Sequence, residues 1–155
     1  MLCFRETAFG RVGIEDKEGF ITRLYLPGRS DAVSEGPETP LLGEAFAQLE
    51  AYFSGRRKAF DLPLRFEGMP FMKRVWQALC TVPYAHTASY KDIAEAIGNP
   101  KACRAVGMAN NRNPIAIIVP CHRIIGSTGA LVGYGGGLGM KERLLELERR
   151  YGPAD

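Results

Sequence analysis

The apolar positions change period along the chain. From the N-terminus to about residue 27 they alternate and turn as strands do: Phe9-Gly10-Arg11-Val12-Gly13-Ile14, then Glu15-Asp16-Lys17-Glu18-Gly19, then Phe20-Ile21-Thr22-Arg23-Leu24-Tyr25-Leu26. A glycine-closed turn between two such runs predicts a hairpin. Residues 27–40 carry Pro27, Gly28, Ser30, Asp31, Ser34, Gly36, Pro37 and Pro40, the composition of a loop. Leu42, Phe46, Leu49 and Phe53 then recur at helical spacing, and Gly55 with Arg56-Arg57-Lys58 suits a helix C-terminus. The stretch from Asp61 to Pro70 reads as a join. It separates a small α/β N-terminal part from a mainly helical C-terminal part.

In the second part, Phe71, Val75, Trp76 and Leu79 form the apolar stripe of a helix ending near Val82-Pro83. Ser89 followed by Asp92 predicts a capping box opening a helix that buries Ile93, Ala94 and Ile97 and closes at Gly98. Asn99-Pro100 reads as an N-cap and first-turn proline, opening another helix through about Asn110. Two short helices so joined suggest a helix-turn-helix. Ala102, Ala105, Val106 and Ala109 give the second helix a small face, with Lys101, Arg104 and Met108 on another. A small face lets a helix approach a DNA groove, or equally pack on its neighbour. A last helix runs from Met140 to Tyr151, with Met140, Leu144, Leu147 and Tyr151 inward. Glu148 falls on that same face and needs a partner, either His122 or an arginine.

The candidate chemistry sits at Ile115-Ala116-Ile117-Ile118-Val119-Pro120-Cys121-His122-Arg123. The β-branched run predicts a short buried strand that Pro120 stops. Cys121 then falls where backbone N–H groups are unpaired, a setting expected to lower a thiol's pKa and favour the nucleophilic thiolate. His122 adds a base and Arg123 a fixed charge. A buried structural cysteine is the plainer alternative. Seven glycines follow within residues 126–139, backbone able to approach a flat ligand closely.

Composition narrows the classes. At 155 residues the chain is one domain, or one with a small appendage, and 46% hydrophobic content suits a globular core. No apolar run reaches membrane-spanning length, and the start lacks the pattern of a secretory signal. Cys3, Cys80, Cys103 and Cys121 are scattered, and with His86 and His122 as the two histidines a zinc site is poorly supported. Unpaired thiols predict a cytoplasmic location. A net charge of +3 permits a nucleic-acid partner without demanding one.

These residues together resemble the O6-alkylguanine-DNA alkyltransferases, or methylated-DNA–protein-cysteine methyltransferases. The resemblance covers nearly the whole chain. It runs through Val75-Trp76, Pro83-Tyr84, Ser89-Tyr90, Gly98-Asn99-Pro100-Lys101, Arg104-Ala105-Val106-Gly107, Asn113-Pro114, Pro120-Cys121-His122-Arg123, Gly133-Tyr134 and Lys141-Glu142, with Phe60-Asp61-Leu62-Pro63-Leu64 like the family's join. It implies an α+β fold, with a ribonuclease-H-like α/β domain over residues 1–65. A winged-helix-like DNA-binding domain with the helix-turn-helix would span 66–155. It implies that Cys121 accepts the alkyl group, His122 is its base through a water, Glu148 orients the histidine and Asn113 braces the turn. Tyr90, Tyr134, Gly135 and Ile124 would line the pocket for a flipped guanine. Arg104 would be the finger entering the duplex, with Lys101, Ala102, Ala105 and Arg123 also on DNA. The partner implied is duplex DNA bearing O6-alkylguanine, approached from the minor groove by a monomer with no metal and no dissociable cofactor.

Departures from the family pattern are Ala85 where glycine is frequent, Met72 where glutamine is common, and Gly135 where some relatives carry a side chain. The last suggests tolerance of larger alkyl groups. Other classes remain open on residues alone: a cysteine hydrolase using Cys121, His122 and Glu148, a lesion-binding protein without transfer, or a plain helix-turn-helix regulator.

Overall fold

The computed structural model describes residues 1–28, 36–131, 133–134 and 136–152. It divides into two compact units, residues 1–66 with 114–118, and residues 67–113 with 119–155. The fold is α+β, a small sheet-bearing unit followed by a mainly helical one.

In the first unit, β1 (Leu2–Thr7), β2 (Gly10–Lys17) and β3 (Phe20–Tyr25) form an antiparallel meander in that order. The hairpin expected between the second and third strands is present, with a tighter turn. Glu18 and Gly19 alone close it, at φ +52° and +83°, as a two-residue turn with left-handed backbone requires. Pro40–Phe53 forms α1, capped by Thr39, whose Oγ1 accepts the Leu42 N–H at 3.1 Å. Its inward residues Leu42, Phe46 and Leu49 are fully buried, the stripe that the spacing predicted.

The free edge of β3 is covered. Ile21 N–H donates to Pro63 O at 2.8 Å and Leu24 N–H to Pro114 O at 2.9 Å. Ile115 bridges Leu24 in parallel, but the expected strand over 115–119 does not form. Ile117 takes φ +72°, and the Ile118 N–H turns back on Ala116 O at 2.8 Å. This γ-turn leaves the segment buried without a ladder, so the apolar run reported burial and not strand geometry.

In the second unit, α2 (Pro70–Leu79) buries Val75, Trp76 and Leu79. Trp76 Nε1–H donates to Ala109 O at 2.9 Å, fixing this helix to α4 (Cys103–Asn111). Between them lie β4 (Ala88–Ser89) and α3 (Tyr90–Ala96), opened by the capping box expected at Ser89 and Asp92. Ile97, expected inside, is only half-buried. The second helix of the pair starts later than Asn99-Pro100 predicts. Asn99 O accepts the Ala102 N–H at 3.0 Å, so residues 99–102 are a turn and the helix begins at Cys103. β5 (Ile124–Ile125) pairs in parallel with β4. The chain closes with α5 (Leu138–Tyr151). Among the described residues, no helix is long and apolar enough to cross a membrane.

Candidate active site

Cys121 opens a single 3-10 turn, Cys121–Arg123, set by the proline before it. Pro120, at φ −81° and ψ 62°, centres an inverse γ-turn in which the Cys121 N–H donates to Val119 O at 2.8 Å. The sequence predicted unpaired N–H groups and a lowered thiol pKa here. Neither holds. The amide is used, Cys121 is 4% exposed, and burial pushes its thiol up to about 11. Four groups work against that rise: the Asn113 side chain, the Lys141 charge, the Cys121 backbone N–H and the Tyr134 hydroxyl. Asn113 Nδ2–H also donates to Val119 O at 2.8 Å, bracing the turn from outside.

His122 is fully buried, and its Nε2 lies 2.6 Å from Glu148 Oε2. Burial alone would raise the Glu148 carboxyl, but the hydrogen bond from His122 and the hydrogen bonds and charge of Arg123 outweigh it and hold Glu148 at about 2. An ionised carboxylate only accepts, so Nε2 carries the proton. Burial also keeps the imidazole below its ordinary value despite Glu148, leaving it neutral with Nδ1 as the basic nitrogen. The inward glutamate has both partners that the sequence offered, the histidine and an arginine.

That arginine is Arg123, and its position corrects the expectation that it lies on DNA. It is 7% exposed. Its Nε–H and Nη2–H donate to the two Glu148 oxygens at 2.8 and 3.0 Å, and Nη1–H donates to Val82 O at 2.7 Å. Its fork serves Glu148. A fourth donor to that carboxylate is the Ala85 N–H, 3.1 Å from Oε1, on a residue at φ +61°.

Around the sulfur, Tyr90 stands half-buried at the start of α3, within charge range of Cys121. A side chain at Gly107 would meet the Tyr90 ring at 3.7 Å. The buried Tyr134 hydroxyl finds no hydrogen-bond partner among the described residues, and burial first, then the nearby Cys121, push it well above its ordinary value. Ile124 is fully buried, and Gly135 lies outside the described residues. Lys141, which residue patterning did not single out, is fully covered and donates to Ile124 O and, at 3.5 Å, to Gly133 O. It stands seven positions before Glu148, a spacing that shares a helical face and would have flagged it.

The small face of α4 splits. Val106 and Ala109 are buried in the unit, while Lys101, Arg104, Ala105 and Met108 are exposed and Ala102 is half-buried. Near the start of α3 an open hollow of about 560 Å³ is lined by Ser89, Asp92, Ile125, Ser127 and Thr128. Among the described residues, no three His, Cys, Asp or Glu side chains are grouped to hold a metal.

The comparisons with known proteins reach both units. Residues 70–150 match the DNA-binding domain of 6-O-methylguanine DNA methyltransferase, and residues 6–66 match its ribonuclease-like domain. A methylated-DNA–protein-cysteine methyltransferase of Methanosarcina acetivorans is 63% identical over 138 residues, 86% of this chain and 87% of that one. The constitutive one of Bacillus subtilis is 50% identical over 153 residues, covering 93% and 92%. A crystal structure of Mycobacterium tuberculosis OGT in complex with DNA superposes with TM-score 0.90 at 44% identity, covering 99% of this chain and 95% of that one. With identity at this level sustained along nearly its full length, the chain belongs to the methylated-DNA–protein-cysteine methyltransferase family.

Proposed function

We propose that this protein repairs DNA by direct reversal, moving the alkyl group of O6-alkylguanine, and of O4-alkylthymine, onto Cys121. The observation that carries this reading is the buried row of Cys121, His122 and Glu148, in which a neutral imidazole with a defined tautomer follows a thiol directly in the chain. A base inside a duplex cannot reach such a sulfur, so the lesion is flipped out at a cost of a few kcal/mol. The exposed Arg104 is suited to fill the gap in the stack, and the adjacent Ala105 lets α4 approach the minor groove. Lys101 and Ala102 flank the same surface. Tyr90, Tyr134 and Ile124 would form the walls that receive the base.

In the chemical step the S–C bond forms as the C–O6 bond breaks. The thiol proton passes to His122 through a water, the imidazolium is stabilised by Glu148, and the proton ends on the departing guanine. Tyr90 donates to that guanine while charge develops on it. Because the thiol starts protonated, sulfur attack and proton removal are one coupled event. The product is a thioether with no carbonyl for water to attack, so each molecule acts once. It acts as a monomer in the cytoplasm, with no metal or dissociable cofactor in the step.

Incubation with an O6-methylguanine duplex followed by intact mass measurement tests this. One added methylene per molecule, absent in Cys121→Ser, is the expected result. Repeated turnover, or no adduct, overturns it.

A further inference from the structure

One side chain on the proposed DNA surface has no task in the transfer. Met108 is 54% exposed on α4, where the other exposed residues are charged, polar or small. A single exposed apolar residue is ordinary on a protein surface. The surroundings of this one point to an occupant. Met108 stands four positions after Arg104 and three after Ala105, so the three share the outward side of the helix, while Val106 and Ala109 fill the buried side. Exposed Lys101, Arg104 and Arg112 flank it, and no acidic residue occurs between Asn99 and Asn113. An apolar tip in a wholly cationic setting is complementary to a polyanion with an apolar interior, which describes duplex DNA better than a protein face.

The dimensions limit what it meets. Four residues of helix rise about 6 Å. With Arg104 in the gap left by a flipped base, and bases spaced about 3.4 Å apart, Met108 falls within about two base-pair steps of the lesion. The methionine side chain is long and unbranched, donates nothing and accepts weakly.

We propose, resting on the alkyl-transfer reading, that Met108 is a specificity-determining residue: it packs on the floor of the minor groove beside Arg104 and favours A·T over G·C pairs there. The floor of an A·T pair carries acceptors alone, whereas a G·C pair adds the guanine 2-amino donor. Under a methionine that amino group loses its water and gains no good acceptor. Buried N–H donors are left unpaired more rarely than acceptors are left under-used. Methionine is also among the apolar side chains that proteins press into the minor groove.

The test is competition for limiting protein between O6-methylguanine duplexes that differ only at pairs up to two steps from the lesion, read as methyl lost from each duplex. Wild type transfers faster from A·T-flanked than from G·C-flanked lesions by about fivefold, the lower end for leaving a donor unpaired. Inosine·cytosine pairs, which lack the 2-amino group, behave as A·T. Pairs of 2-aminoadenine with thymine, which add it, behave as G·C. Met108→Ala abolishes the preference, and Met108→Leu, apolar and similar in size, keeps it. The position is exposed, so both variants unfold at the wild-type denaturant midpoint. An equal or reversed ratio in wild type overturns the proposal. So does a preference that survives in Met108→Ala, which would belong to the deformability of the duplex, or one that does not follow the 2-amino group. Wild type that takes up no methyl group from any duplex overturns the alkyl-transfer reading instead, which separates the two failures.

Discussion

Arg123 and Glu148 form a two-point ion pair inside the second unit, Nε on Oε1 at 2.8 Å and Nη2 on Oε2 at 3.0 Å. The fork geometry is specific to guanidinium. Arg123→Lys, which keeps the charge but loses the fork, therefore destabilises the protein. The expected loss in urea unfolding is about 3 kcal/mol, the lower end for breaking a buried pair. The salt dependence of DNA binding stays as in wild type, because Arg123 neutralises no phosphate. A flatter salt slope with unchanged stability would restore Arg123 to the DNA surface.

Acid acts on the same group in two stages. His122 is held neutral, below the 6.5 of an ordinary histidine, so the unfolded chain binds its proton first and stability falls as pH drops below about 6.5. Glu148 is held at about 2 against an ordinary 4.5, so its contribution is complete above about 4.5 and is lost between there and about 2. Denaturant midpoints measured from pH 8 to 3 should decline in that order. The first stage disappears in a folded His122→Gln variant.

Ala85 holds a left-handed backbone, φ +61°, in order to aim its N–H at Glu148. An L-residue there carries about 1–2 kcal/mol of strain. Ala85→Gly relieves it at some cost in unfolded-state entropy, for a net gain of roughly 0.5–1 kcal/mol in thermal or chemical unfolding. Ala85→Val loses stability and weakens the support of His122.

Arg104 is exposed on α4, so Arg104→Ala leaves unfolding stability within about 0.5 kcal/mol of wild type. If its guanidinium fills the gap left by the flipped base, single-turnover methyl transfer slows more than duplex binding weakens. Stopped reactions at saturating duplex separate the two. Equal losses in both would make Arg104 a phosphate contact.

The sequence disclosed what depends on local rules. The four-three-four spacing of Leu42, Phe46, Leu49 and Phe53 fixed a helix and its inner face. Ser89 with Asp92 marked a capping box, and the inward Glu148 demanded a partner that the structure supplies twice. It failed where tertiary surroundings override a local preference. Backbone dipoles argue for a lowered thiol at Cys121, yet burial decides its pKa, and burial is not visible in neighbouring residues. The place of Arg123 on DNA is implied by the family resemblance, and nothing in the neighbouring residues says which way its fork turns. Residues 115–119 are apolar and mostly β-branched yet form no strand, because the left-handed backbone at Ile117 and the turn it centres break the ladder. Ala85 left no signal, since its contribution is a backbone N–H.

A protein that fires once must reach its target with its warhead intact. Oxidants and small electrophiles consume thiols according to exposure and ionisation. Cys121 offers little of either, while Cys80 lies at the surface. The closed, protonated resting state that slows stray chemistry thus sets the shelf life of every unused copy.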